Sequence, residues 1–257
     1  MNAPAFCCDQ TEVRLASASG EKVILQSIDL RIGRREFLCL VGGSGTGKTT
    51  LLRALGGFCE PTGGKVLYEG KTFSGPPEGV VTVFQDYGNA LLPWRTVKGN
   101  VALGIEEKIS GKELDQRIDT ALTLVGLKHV EKEYPAKLSG GMQQRLQIAR
   151  ALALQPKVLL MDEPFGALDA MTKAKLQDQL RHIQASTGAT IVFITHDVDE
   201  AIYLGDRVVL LAGSPGRIAS EIRPALPTSR DQISTKEMPE YLQARHELLN
   251  LLHGAAR

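Results

Sequence analysis

No apolar run in the sequence approaches the roughly 20 residues that a helix needs to cross a bilayer. Any membrane role therefore has to come through a partner. Charge of one sign is not in excess either: 30 basic residues stand against 29 acidic ones. That balance leaves no field to steer the protein onto nucleic acid or an anionic lipid surface. Cysteine is scarce, and Cys7, Cys8, Cys39 and Cys59 show neither metal-ligand nor disulfide spacing. Reduced thiols are the expectation. The opening residues MNAPAFCCDQTEV lack a basic region followed by an apolar stretch, so no signal peptide is expected. Internal repeats and low-complexity segments are absent as well. What remains is a chain of 257 residues, long enough for a substantial core as one large domain or two lobes.

What is present is a change of pattern along the chain. Residues 11–36 alternate apolar and polar positions (VILQSIDLRI), which predicts strands of a partly exposed antiparallel sheet. GKVLYEGKTF, at 64–73, reads the same way around a turn. The runs FLCLV (37–41), VVTVF (80–84), VLLM (158–161), IVFIT (191–195) and RVVLLA (207–212) do not alternate. Runs of that kind suit strands covered on both faces, as in a parallel sheet, and the helical patterns between them argue for an α/β core. Between the second and third runs, KELDQRIDTALTLVGL places Leu114, Ile118, Ala121, Leu122 and Val125 on one helical face. This stretch reads as a helical insertion at about 88–150. Beyond Gly213 the chain is read as a Pro-containing polar tail, closed by a terminal helix at YLQARHELLNLL.

GGSGTGKTT, at 42–50, follows the run FLCLV and precedes a helical pattern, the context required of a phosphate-binding loop. Gly42, Gly43, Ser44, Gly45, Thr46 and Gly47 bring backbone N–H groups around phosphate oxygens. Lys48 reaches the outer phosphates, and Thr49, beside Thr50, offers a hydroxyl to Mg²⁺. VLLMDEP ends a buried run in two carboxylates. Asp162 is placed to hold the Mg²⁺ shell and Glu163 to accept the proton of a water attacking the γ-phosphate; the plainer reading is an acidic cap on the next turn. His196 closes IVFITH and Gln85 closes VVTVFQ. Each is uninformative alone, but ligands sit outside the carboxyl ends of parallel strands, which makes both candidates for contact with the γ-phosphate, Mg²⁺ and water.

LSGGMQQR, at 138–145, raises a different question. Ser139 stands as an N-cap ahead of bare backbone at Gly140 and Gly141, and Leu146, Ala149, Leu152 and Ala153 share a face of the helix that follows. Such a helix start presents N–H groups to an anion. The chain thus carries a second anion site besides the loop at 42–50.

Taken in order, these motifs resemble the ATP-binding cassette (ABC) family over nearly the whole chain, through about residue 220. Gly42–Thr49 matches the Walker A loop, Gln85 the Q-loop, Ser139–Gly141 the signature and Asp162–Glu163 the Walker B end. ALD at 167–169 matches the D-loop, and His196 the switch histidine. LLPWRTV (91–97), DEPFGALDA (162–170) and SPGRI (214–218) resemble the importer ATPases for nitrate, sulfonate and taurine. The resemblance implies a P-loop NTPase fold, with a parallel sheet, an N-terminal antiparallel β subdomain and a helical insertion. It implies an ATPase domain at 8–240 and a helical tail at 241–257. It also implies a head-to-tail homodimer in which each ATP, with Mg²⁺, lies between one copy's loop and the other's signature. The motor would work at the cytoplasmic face of the membrane, peripheral to permease subunits and served indirectly by an extracytoplasmic solute-binding protein. Its cargo would be a small anion such as nitrate, a sulfonate or taurine. A soluble, non-transport ABC ATPase is the alternative.

Two positions depart from the family pattern: Met142 replaces a usual Gln, and Ser19 stands where an aromatic would stack on adenine. Residues 87–94, ending in ALLPW, are expected to dock the permease. Alternatively Leu91, Leu92 and Trp94 pack the insertion.

Overall fold

The N-terminal alternation folds as β1 (Phe6–Ser17) and β2 (Gly20–Ile32), paired antiparallel, with β4 (Gly63–Tyr68) on the other side of β1. In this computed structural model the described residues are 3–17, 20–85 and 90–255. Ser19 and the start of the 87–94 stretch, Tyr87 to Asn89, therefore lie outside them.

Four of the five non-alternating runs are strands buried on both sides; the fifth, VVTVF, forms an edge strand in which only Val83 is fully buried, because no neighbouring strand covers its outer side. In β3 (Phe37–Val41) all five residues are buried. Phe37, Cys39 and Val41 enter one core, while Leu38 and Leu40 enter the other. Covering both faces removes any reason for polar residues, so the run shows no period of two. With β5 (Val80–Val83), β6 (Val158–Asp162), β7 (Thr190–Ile194), β8 (Arg207–Ala212) and β9 (Arg217–Ile222), this strand forms a six-stranded sheet in the order β5-β6-β7-β3-β8-β9. Its first five strands are parallel, in register at Leu160↔Val192 and Leu38↔Val192.

Strand β9 corrects the reading of a polar tail after Gly213. It pairs antiparallel with β8 along the sheet edge. Of its six residues only Ile222 is fully buried, and a half-exposed edge strand has no strong pattern to betray it.

Helix α1 (Lys48–Leu55) lies between the two sheets. Its Leu51, Leu52 and Leu55 share a core with Leu38 and Leu40 from one sheet and Phe6, Val13, Leu25 and Ile28 from the other. The opposite face of the parallel sheet is covered by the insertion: α2 (Val97–Ala102), α3 (Gly111–Leu124) and α4 (Gly140–Ala153). Ile118, Ala121, Leu122 and Val125 are buried there as the helical spacing predicts, and Leu114 is partly so. Two more helices, α5 (Ala170–Thr187) and α6 (Val198–Leu204), follow β6 and β7. The closing helix, α7 (Pro239–Ala255), brings Tyr241, Ala244 and Leu248 into the same core as the insertion.

Candidate active site

The loop after β3 turns tightly enough to start α1 at Lys48, with Gly47 as the N-cap. A Cβ at Gly42, whose φ is 152°, would stand 2.1 Å from the carbonyl oxygen of Leu211, so only glycine fits against β8. Within the loop the Thr46 hydroxyl donates to the Gly43 carbonyl (3.0 Å). The ammonium of Lys48 donates to the carbonyls of Gly42 (2.9 Å) and Gly43 (2.8 Å). Burial lowers the Lys48 pKa, while the charges of Glu163 and Asp162 oppose that shift. Gly43, Ser44 and Gly45 are exposed, and Thr49 and Thr50 half-buried.

The turn between β8 and β9 supports this loop from outside. Gly216 donates to the Ile24 carbonyl (2.8 Å) and accepts from the Gln26 N–H (3.0 Å), joining the turn to β2. A Cβ on Gly216 would lie 1.9 Å from the Thr46 carbonyl oxygen. The SPGRI stretch, notable in the sequence only for its family likeness, is thus a neighbour of the phosphate loop.

Three strand ends converge on Glu163. At the end of β6, Asp162 is 3% exposed, and burial raises its pKa; a hydrogen bond from Thr49 works against that rise, and the charge of Glu163 adds to it. Glu163 follows with φ 45°, a backbone region that a residue with a side chain adopts at a cost of about 1–3 kcal/mol. Its N–H donates to the Ile194 carbonyl (3.1 Å). One carboxylate oxygen, Oε2, accepts from Nε2 of Gln85 (3.3 Å), just beyond β5. The same oxygen lies 3.4 Å from Nδ1 of His196, just beyond β7.

Thr49, Gln85 and Asp162 also line one groove of about 690 Å³ with Arg53, Phe58 and Phe84. A hydroxyl, an amide and one carboxylate are hard oxygen donors, a set that suits Mg²⁺ when phosphate and water complete its shell. Among the described residues no cluster of three or more His, Cys, Asp or Glu side chains could hold a metal ion by itself. A second groove, at the opposite end of the parallel strands near Pro156–Leu159 and Thr187–Ile191, is lined by none of the predicted site residues.

Ser139, Gly140 and Gly141 do not join this groove. The Ser139 side chain caps α4 by accepting from the Met142 N–H (3.3 Å), and Ser139 and Gly140 are exposed. Gly141 packs close to the carbonyl of Ala167 and the side chain of Leu168. The cap at Ser139–Gly141 and the loop at 42–50 are thus separate surfaces.

Some participants were not visible in the sequence. Gln144, 2% exposed on α4, accepts from the Ala167 N–H (3.1 Å) and points its amide nitrogen at the Glu163 carbonyl (3.5 Å). Its spacing from Ile148, another buried residue of α4, was the one available signal. Asn100, fully buried, accepts from the Leu92 N–H and donates to the carbonyls of Leu92, Arg95 and Thr96. It fixes the LLPWRT loop. Of that loop, Leu91 packs the insertion core, whereas Trp94 is 71% exposed and does not.

Comparison with known proteins shows what the chain as a whole is similar to. The family profile described as ABC transporter matches residues 25–166. The nitrate transport protein NasD of Klebsiella oxytoca is 42% identical over 93% of this chain and 93% of its own length. The bicarbonate transport ATP-binding protein CmpC of Synechocystis is 43% identical over 93% of this chain, which spans only 36% of that longer protein. Among solved structures, the dimeric post-hydrolysis state of an ATP-binding cassette bound to ADP and Pi superposes with a TM-score of 0.77. It is 30% identical and covers 85% of this chain and 98% of its own.

Proposed function

Because the chain belongs to the ABC transporter family, we propose that it is the ATP-hydrolysing motor subunit of an importer for a small anion. The observation that carries this reading is the convergence of Gln85 and His196 on one oxygen of Glu163, beside the buried Asp162. A carboxylate held from two sides at the edge of a phosphate loop suits a base that takes the proton of an attacking water. Gln85 and His196 orient that carboxylate and the γ-phosphate. The amides of residues 42–50 surround the triphosphate, and Lys48 exchanges its bonds to the Gly42 and Gly43 carbonyls for phosphate oxygens. Thr49, Asp162 and Gln85 would hold Mg²⁺, partly through water; when bound, the ion neutralises charge on the phosphates.

Ser139, Gly140 and Gly141 serve the nucleotide of a second copy, in a head-to-tail homodimer that closes around ATP and loosens once the γ-phosphate is lost. We assign the ATPase domain to residues 8–240, with the insertion at about 88–150 and 241–257 as the tail. No described helix is long and apolar enough to cross a membrane; the subunit acts peripherally at the cytoplasmic face, on permease subunits that meet the exposed Trp94. A solute-binding protein delivers the cargo to them. Nitrate and bicarbonate relatives support an inorganic anion, and sulfonates and taurine belong to the same proposed range. Phosphate release from ATP by the purified chain tests the motor reading. Lys48→Ala should weaken ATP binding itself, and a variant with full affinity would argue against this phosphate site.

A further inference from the structure

Glu200 is a buried carboxylate, 5% exposed, that no step above uses. It lies on α6, four residues beyond His196. Its Oε2 accepts the hydroxyl proton of Thr195 (2.5 Å). Its Oε1 meets the ammonium of Lys173 (3.0 Å) and the amide of Gln177 (3.5 Å). The Thr195 oxygen in turn accepts from the N–H of Asp197 (3.0 Å). Asp197 caps α6 by accepting from the N–H groups of Asp199 and Glu200, and Lys173 also approaches its carboxylate (3.5 Å). The residues on either side of His196 are therefore tied into one network whose cation is Lys173.

The imidazole itself is exposed, with a side-chain relative accessibility of 71%, and its Nδ1 faces Oε2 of Glu163. An exposed ring has rotamer freedom, so its aim at Glu163 depends on where the backbone between Thr195 and Asp197 is held. Lys173 reaches this segment from another element. It stands in the first turn of α5, where its N–H donates to the carbonyl of Asp169 (2.9 Å), the N-cap residue of that helix. Asp169 closes the ALD stretch, and Gln144 holds the N–H of Ala167 at its start. The network thus spans from the signature helix, through residues 167–169, to the residues flanking His196.

We propose that Lys173 and Glu200 are positioning residues that aim His196 at Glu163 and tie that contact to the 167–169 loop. Movement of the loop is then transmitted to the catalytic carboxylate by the ion pair between the half-buried Lys173 and the buried Glu200. The inference rests on the ATPase reading given above, with Glu163 and His196 in the roles stated there.

Removing Lys173 also leaves the buried Glu200 carboxylate uncompensated, so the test has to separate aim from stability. Single-turnover ATP hydrolysis is measured for the full chain, with Lys173→Met, Lys173→Arg and Glu200→Gln, and with Glu200→Gln in a His196→Ala background. Circular-dichroism melting reports folding. Lys173→Met and Glu200→Gln should lower the rate constant about tenfold or more, with half-saturation by ATP changed less than about twofold. Lys173→Arg should restore most of the rate. In the His196→Ala background Glu200→Gln should cost less than about twofold, because its effect passes through that ring. Should Lys173→Met not fold, Glu200→Gln, which keeps volume and the Thr195 contact, carries the test. Wild-type rates in the folded variants, or the same fold loss with and without His196, would overturn the inference while leaving the ATPase reading intact. A wild-type chain that does not hydrolyse ATP would overturn both.

Discussion

Nδ1 of His196 lies 3.4 Å from Oε2 of Glu163, so two strand ends, β7 and β6, meet at the proposed base. Removing the charge while keeping the shape tests that base. Glu163→Gln should bind MgATP yet hydrolyse it roughly 10²–10⁴ times more slowly, the usual contribution of a positioned general base. The slowed variant should accumulate as an ATP-bound dimer visible by size exclusion. Turnover at the wild-type rate would remove Glu163 from that role.

Gly216 has no room for a methyl group, since a Cβ would sit 1.9 Å from the carbonyl oxygen of Thr46. Gly216→Ala therefore has to push the phosphate loop or the β8–β9 turn aside. The expected result is a loss of about 1–3 kcal/mol in stability with weaker ATP binding. Isothermal titration and thermal melting, taken together, check both parts. Unchanged ATP affinity would show that the turn and the loop move independently.

Trp94 is 71% exposed on a loop held by four hydrogen bonds to Asn100. An exposed aromatic on a fixed loop is a good anchor for a partner helix. Trp94→Asp should change stability by no more than about 0.5 kcal/mol and leave basal ATP hydrolysis intact. It should abolish co-purification with the permease subunits. A variant that still assembles the full transporter would place the docking surface elsewhere.

Ser19 offers no ring to stack on a base. Base–aromatic stacking is worth roughly 1–3 kcal/mol, while the triphosphate contacts are independent of the base. ATP and GTP should therefore be hydrolysed with efficiencies within about tenfold of each other, and Ser19→Tyr should tighten ATP binding. Titration of a fluorescent ATP analogue against both proteins checks this. Strong adenine preference with equal affinity in the two would mean that another group holds the base.

Much of the fold was legible because burial leaves a pattern. FLCLV, VLLM and IVFIT lack alternation because both faces of the sheet are covered. Ile118, Ala121 and Leu122 keep a helical period because only one face of α3 is. The strand β9 was not legible, since an edge strand with one fully buried residue of six carries little of either pattern. At the site, Lys48 stood out because a phosphate loop ends in a lysine at the start of a helix, and Asp162 and Glu163 because two carboxylates close a buried strand. Gln144, Asn100, Lys173 and Glu200 did not. Polar residues on helices read as solvated until the chain brings their partners alongside, and the partners of Gln144, Lys173 and Glu200 come largely from other elements, as where Glu200 on α6 meets Lys173 on α5.

The central claim is that the phosphate loop and the Ser139–Gly141 cap of one chain serve two different nucleotides. Ser44 and Ser139 are both exposed, one in the phosphate loop and one at the cap of α4. In a Glu163→Gln background, chains carrying Ser44→Cys are mixed with differently tagged chains carrying Ser139→Cys and treated with a short bifunctional maleimide. A crosslinked heterodimer that forms with MgATP, and not without nucleotide, is the result this account predicts. If the mixture gives no such band, and a chain carrying both substitutions crosslinks solely within itself, the shared nucleotide site is contradicted.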